Sequence, residues 1–183
     1  MISAIKNRRS IRNFKEQHLE ESILKEILEA GRLAPSAKNR QPWYFVVLQN
    51  KYKDEIADIM IEYTNKTDKE DYETKHCKSS VKATASVIRK APVLVLIYKE
   101  VDSEWNIGDT LSIGACIENM ILQATDLGIG SLWIRDTYCL SKEITDKYCK
   151  EKELICSVAF GYSNETPKAR PRKSLNSIVT CWK

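Results

Sequence analysis

The sequence predicts an α+β fold, with one central sheet of four or five strands between helices. Three observations lead there. Four short apolar runs, residues 43–48, 92–98, 131–134 and 154–162, have the length and composition of strands. Longer stretches at 20–33, 51–63 and 106–127 carry apolar residues at helical spacing. The two kinds are mixed along the chain, with no regular β–α alternation and no internal repeat.

In residues 20–33, Leu19, Ile23, Ile27 and Ala30 fall on one helical face, with Leu24 and Leu28 beside them. Glu20 and Glu21 stand near the start, where the helix dipole favours negative charge. Residues 34–42 follow, with Pro35 and Pro42 bracketing small and amide side chains, a loop of defined shape. It runs into the strand at 43–48. In the helix at 51–63, Tyr52, Ile56, Ile59, Met60 and Tyr63 recur at helical spacing. Residues 64–80 are polar and charged and read as a mobile loop or a solvated helix extension. A short helix is expected at 81–89. The run at 92–98 is apolar on both faces, which places it centrally in the sheet.

Residues 106–127 form the most apolar helix, apolar around much of its circumference. Such a helix is buried in a large core or against another subunit. A chain of 183 residues has little room to enclose it, which argues for a dimer. Gly128-Ile129-Gly130 ends it as a C-cap and tight turn. These glycines follow a helix and the third fingerprint position holds Trp133, so they are not a dinucleotide-binding motif. A short helix at 141–150, with Ser141 as its N-cap, precedes the last strand. The tail at 174–183 keeps Leu175, Ile178, Val179 and Trp182, side chains that a solvated tail does not need.

Length bounds the chain to one domain, residues 1–183. Hydrophobic residues at 43% and charged residues at 30% are ordinary for a globular protein. A net charge of +4 falls short of a nucleic-acid binder. Lys6, Arg8 and Arg9 precede any apolar stretch, so no signal peptide is expected, and the apolar run at 91–98 is too short to span a bilayer. The expected location is cytoplasmic. The six cysteines contain no C-x-x-C pair and are expected as free, mostly buried thiols. His18 and His76 are not at zinc-ligand spacing with any cysteine pair, so no metal is expected.

No nucleophile–base set, P-loop or zinc-protease motif is present, so the chemistry has to come from a cofactor. Two basic clusters stand out: Arg8-Arg9-Ser10-Ile11-Arg12, and Lys168, Arg170, Arg172 and Lys173. Guanidinium presents forked, permanently charged donors suited to phosphate. A cluster this dense repels itself unless an anion sits in it.

Four segments, Arg8–Arg12, Ala34–Trp43, Leu127–Ile134 and Arg170–Lys173, resemble the nitroreductase family of FMN-dependent enzymes in order and separation. The resemblance runs over essentially the whole chain. It implies a mainly antiparallel sheet and an intertwined homodimer with two interfacial FMN sites and an exchanged C-terminal tail. By position, Arg8 and Ser10 would grip the FMN phosphate with Arg170 and Arg172. Arg9 would lie along the ribityl chain, and Arg12 would reach the pyrimidine edge, where a cation stabilises the reduced flavin. Pro35, Ser36, Ala37, Asn39 and Gln41 would wall the flavin of the other subunit. Trp133, Ile134 and Arg135 would line one flavin face, with the Arg135 N–H as donor to N5.

Arg135 stands where many relatives carry a small or acidic residue. Turned into the site, it would favour anionic substrates or the phosphates of NADPH; otherwise it faces solvent or pairs with Asp136. The implied mechanism is ping-pong: NADH or NADPH passes a hydride to flavin N5 and leaves, and a small nitroaromatic or quinone takes its place. No side chain need be a catalytic acid or base. The competing readings are a specialised flavin enzyme of the same fold (dehalogenase, azoline dehydrogenase or flavin-fragmenting enzyme), a non-catalytic flavin-binding protein and, last, a small nucleic-acid-binding domain.

Overall fold

The structure is a computed structural model and describes residues 1–66 and 72–181. Its helices are α1 (Ser3–Asn7), α2 (Glu21–Arg32), α3 (Lys51–Lys66), α4 (Tyr72–Lys90), α5 (Asn106–Asp126) and α6 (Ser141–Tyr148). Its strands are β1 (Trp43–Gln49), β2 (Val93–Glu100), β3 (Gly130–Ile134) and β4 (Lys152–Gly161). They form one sheet in the order β1-β2-β4-β3, and each neighbouring pair is antiparallel.

Side-chain alternation divides the core in two. Val93, Val95 and Ile97 of β2 pack under α2 and α5, while Leu94, Leu96 and Tyr98 pack under α3, α4 and α6. β2 is therefore apolar at every step because both of its faces are covered, as its composition indicated. On α2 the buried line runs through Leu24, Ile27 and Gly31, with Ile23 and Leu28 flanking it. On α3 it runs through Ile56, Ala57 and Met60, and Tyr52 is exposed, contrary to its expected place on the core face. α4 begins at Tyr72, so of the two readings of the polar stretch the helix extension holds over residues 72–80, and the helix is longer than the one expected at 81–89; residues 67–71 lie outside the described residues.

The turn after α5 follows its glycine. Gly128 sits at φ +73°, its N–H bonds the Thr125 carbonyl, and the Ile129 N–H bonds Ala124. This double bond pattern closes a helix on a left-handed residue. Ser141 is the first residue of α6 rather than its N-cap; Leu140 holds the cap position, without a side-chain hydrogen bond. Among the described cysteines Cys116 and Cys156 are buried, whereas Cys139 and Cys181 are exposed, so the thiols are less uniformly buried than expected. Burial pushes the Cys116 and Cys156 thiols up to about 12.

The feature that positions the site is a zip at the sheet's outer edge. The N-terminal segment runs beside β3, joined by a parallel bridge between Ser10 and Ser131 and by the Ile11 N–H on the Ser131 carbonyl. It then pairs with the chain leaving β4, where Phe14 bridges Ser163, Lys15 N–H bonds Tyr162 and Asn164 N–H bonds Asn13. Both basic clusters lie on this zip.

Candidate functional site

α1 ends at Asn7, and the Arg8 N–H still bonds back to Ala4. The Arg9 guanidinium turns onto the end of that helix, donating to the Lys6 and Arg8 carbonyls at 2.9 and 2.8 Å. A cation suits that end of a helix dipole. From Ser10 to Asn13 the chain is extended along the zip. There the Glu165 carboxylate accepts the backbone N–H groups of both Arg12 and Asn13, the latter at 3.0 Å. Ser163 braces Glu165 through hydrogen bonds to its carbonyl and N–H. The segment 167–172 is thereby carried next to residues 6–12.

Between these segments lies a cavity of about 580 Å³. Its lining includes seven cations, Lys6, Arg8, Arg9, Arg12, Lys168, Arg170 and Arg172, with Ser10, and no carboxylate. Arg8, Arg170 and Arg172 make no side-chain hydrogen bond or ion pair among the described residues. Uncompensated like charge at such density calls for an anion, and forked guanidinium groups match phosphate. Glu165, the nearest acid in sequence, lines a different hollow, with Asn7, Arg9 and Ile11.

Arg12 also lines a second cavity, of about 300 Å³, with Trp133, Ile134, Arg135 and Asp136 at the end of β3 and Ser80, Thr84 and Val87 from α4. Arg12 thus joins the two spaces into one cleft. Because the Ser131 carbonyl faces the zip, strand alternation turns the peptide groups of Trp133 and Arg135 to the same open edge. The Arg135 N–H has no partner among the described residues, which leaves a donor for a ligand in the cleft.

The loop before β1 lies elsewhere. Pro35, Ser36, Ala37, Asn39 and Gln41 line neither cavity of their own chain. The loop is nevertheless tightly held. Lys38, Asn39 and Gln41 all take positive φ, at 50°, 53° and 49°, a conformation that costs energy in residues other than glycine and persists only when neighbours enforce it. The Gln41 N–H donates to the Ser36 hydroxyl at 2.9 Å. Arg40, in the middle, grips the fully buried Asp109 with two bonds, Nε at 3.0 Å and Nη2 at 3.1 Å, and reaches Asp102 at 2.9 Å. The Trp105 ring sits against Lys38 and Arg40, 4.8 and 4.9 Å from its centroid. The Trp105 N–H, then Arg40, hold the Asp102 carboxyl below its ordinary value.

Of the residues singled out in the sequence, Arg8, Arg9, Ser10, Arg12, Arg170 and Arg172 share the first cavity, and Trp133, Ile134 and Arg135 share the second with Arg12. Sequence reasoning missed Glu165, whose role depends on pairing across 150 residues, and Asp109, an unremarked acid on an apolar helix. It also missed Ser80 and Thr84, the α4 hydroxyls that hold Asp136. Arg40 was in plain view, and its neighbours in the loop offered no signal that it grips a buried acid.

Solved structures share this architecture. A BluB-like flavoprotein from Clostridium difficile 630 superposes with a TM-score of 0.84 at 28% identity, covering 98% of this chain and 97% of that one. A nitroreductase with bound FMN from Bacteroides fragilis gives 0.76 at 26% identity, covering 98% and 97%. NfnB, an FMN-dependent nitroreductase from Mycobacterium smegmatis solved with NADPH, gives 0.79 at 16% identity, covering 98% and 96%, a likeness of fold alone. The shared fold is that of nitroreductase-like oxidoreductases. Residues 5–162 match the nitroreductase family model, and the chain belongs to that family. Among the described residues no helix is long and apolar enough to cross a membrane.

Proposed function

We propose that the chain is a cytoplasmic FMN-dependent oxidoreductase that takes reducing equivalents from NADH or NADPH and passes them to small electron-poor acceptors such as nitroaromatics and quinones. The observation that carries this reading is the cavity with seven cations and no carboxylate, sized for a phosphate-bearing group. FMN bound there supplies hydride transfer, for which the chain itself has no equivalent.

The residues present fit that group. Arg8, Ser10, Arg170 and Arg172 are free to donate to a phosphate, and Arg12 stands where the two spaces meet. Its fixed positive charge stabilises negative charge that develops on a reduced ring system. The Arg135 N–H offers a neutral donor at the other end of the cleft. No acid or base side chain is required beyond these binding groups.

The working form is a homodimer. Exposed apolar side chains, Ile5 on α1, Ile107 and Leu111 on α5, Leu33, and Leu175 and Ile178 of the tail, support that reading. Ile5 also lines the basic cavity, so the cleft opens beside this apolar surface. A second copy docked there brings its 35–41 loop to the cleft and gives the stiff, strained loop a task that its own chain does not.

Purification tests the proposal. The protein is expected to be yellow or to take up one FMN per chain, to bleach with NADH or NADPH, and to sediment at roughly twice 21.0 kDa. A colourless protein that takes up no FMN overturns the flavin reading, and a 21.0 kDa species with FMN bound overturns the shared site.

A further inference from the structure

The second cavity holds one charge that nothing uses. Arg135 is exposed, lines the cavity at the end of β3, and has no hydrogen bond or ion pair among the described residues. The obvious partner is its neighbour Asp136, and that carboxylate is committed elsewhere. Asp136 accepts the hydroxyls of Ser80 at 2.7 Å and Thr84 at 2.6 Å, which tie it to α4. No ion pair joins Arg135 to Asp136. The remaining charge in the cavity is that of Arg12, whose Nη1 donates at 3.3 Å to the Ser10 carbonyl and so keeps its charge unneutralised. The cavity therefore carries two guanidinium groups against one acid, and that acid is pinned by hydroxyls rather than by either cation.

We infer that Arg135 selects for a co-substrate bearing a carboxylate or phosphate, held in the cavity between α4 and the end of β3. This rests on the flavin reading above and assigns the substrate class of that same cleft. The physical argument is one of cost and return. An exposed guanidinium that faces an open cavity without a partner loses little hydration when an anion enters, and it gains forked, charge-assisted hydrogen bonds. A neutral acceptor of the same shape gains only contact with the walls, among them Leu132, Val87 and the exposed Trp133. Two sources present the chemistry in question: the carboxylate of an acceptor and the extra phosphate of NADPH.

The experiment compares wild type, R135Q and R135K, each loaded with FMN. Equilibrium dialysis measures binding of benzoate and of its neutral isostere benzamide. The ratio of benzamide to benzoate dissociation constants is expected to exceed one in wild type. It should fall about fivefold or more in R135Q, the loss of roughly one exposed charge-assisted contact, and fall less in R135K, which keeps the charge but loses the fork. Steady-state arms separate the sources. A fall in the NADPH-to-NADH ratio of kcat/KM in R135Q assigns the phosphate, and a fall in the 4-nitrobenzoate-to-nitrobenzene ratio assigns the acceptor carboxylate. Ratios that are equal in all three proteins, or that change as much in R135K as in R135Q, overturn the inference while FMN uptake stands. Failure to take up FMN overturns the flavin reading and this inference with it.

Discussion

Replacing Gly161 with alanine tests whether the zip that carries the basic clusters tolerates any movement. Gly161 is the last residue of β4 and pairs with Gly130 across the sheet. A Cβ built on it lies 2.4 Å from Pro92 Cδ and 2.7 Å from Pro92 Cγ, with Phe14 Cδ1 at 3.1 Å. The closest approach is about 1 Å short of ordinary contact, and the atom in the way belongs to a ring that cannot rotate aside. Overpacking of this kind costs about 1–3 kcal/mol, and a rigid neighbour places it in the upper half of that range. For a domain of this size each kcal/mol shifts the midpoint by roughly 2–4 °C, so Gly161→Ala should melt about 4–12 °C lower. Gly31→Ala is the control, because its Cβ meets a comparable 2.7 Å contact, but with Met120 Cγ, part of a flexible side chain. Cys116 Sγ also stands 3.1 Å away, so the gain of about 1 kcal/mol from replacing a helical glycine offsets only part of the repacking, and Gly31→Ala should melt less far below wild type than Gly161→Ala. Thermal melts of both variants, with an FMN titration of each, make the comparison. FMN affinity should weaken in Gly161→Ala, since Tyr162 to Glu165 follow directly and hold Arg12 in place. Equal melting of the two variants would refute the argument that the neighbour's rigidity sets the cost.

Arg172→Ala should weaken FMN binding on the order of tenfold or more, and the difference from wild type should shrink as salt rises; fluorescence titration at two salt concentrations checks this, and an unchanged affinity excludes the phosphate role. Asp102 lies below its ordinary value of 3.8 because the Trp105 N–H and Arg40 favour its charged form. Its contribution is therefore complete above that pH and disappears as pH falls through the lower folded value, so the melting gap between wild type and Asp102→Asn should hold from pH 7 to 5 and close in stronger acid. A gap that does not narrow at all as pH falls below 3.8 contradicts the assignment. Iodoacetamide at pH 8 should leave Cys116 and Cys156 unmodified in the folded protein, since burial pushes both thiols up to about 12; peptide mapping that finds either one labelled before unfolding refutes their burial.

The sheet was legible because its strands are short and dense. Residues 93–98 are buried at every position, and a run that apolar has only a central place to go. α5 was legible too, and its excess of apolar surface is visible as the exposed Ile107 and Leu111. The polar start of α4 was legible only as one of two alternatives, a loop or a helix extension, because its sequence carries no apolar stripe to decide between them. Tyr52 was misplaced for a related reason: spacing identifies a face, but where that face meets the edge of the sheet depends on tertiary packing. The arginines of the cleft could be picked out by their density. Their joining could not, since Ser10–Ser131 and Phe14–Ser163 are backbone pairings that leave no mark on side-chain composition.

Glu165 shows how the cleft keeps its charge. An acid this close to seven cations could lower anion affinity by neutralising them, or raise it by holding them in place. Where the carboxylate is spent decides between the two. It accepts two backbone N–H groups, those of Arg12 and Asn13, and makes no ion pair with any guanidinium among the described residues. It also lines a separate hollow and not the basic cavity. A charge bound to peptide donors is largely offset by them, so its long-range effect on an anion in the cleft is small. The two charge-assisted bonds it makes are each worth about 1.5–3 kcal/mol, enough to fix the segment. The basic clusters are thus assembled by contacts that leave their own donors unused. The repulsion among them is met when the chain folds, so an entering phosphate finds its donors already in position.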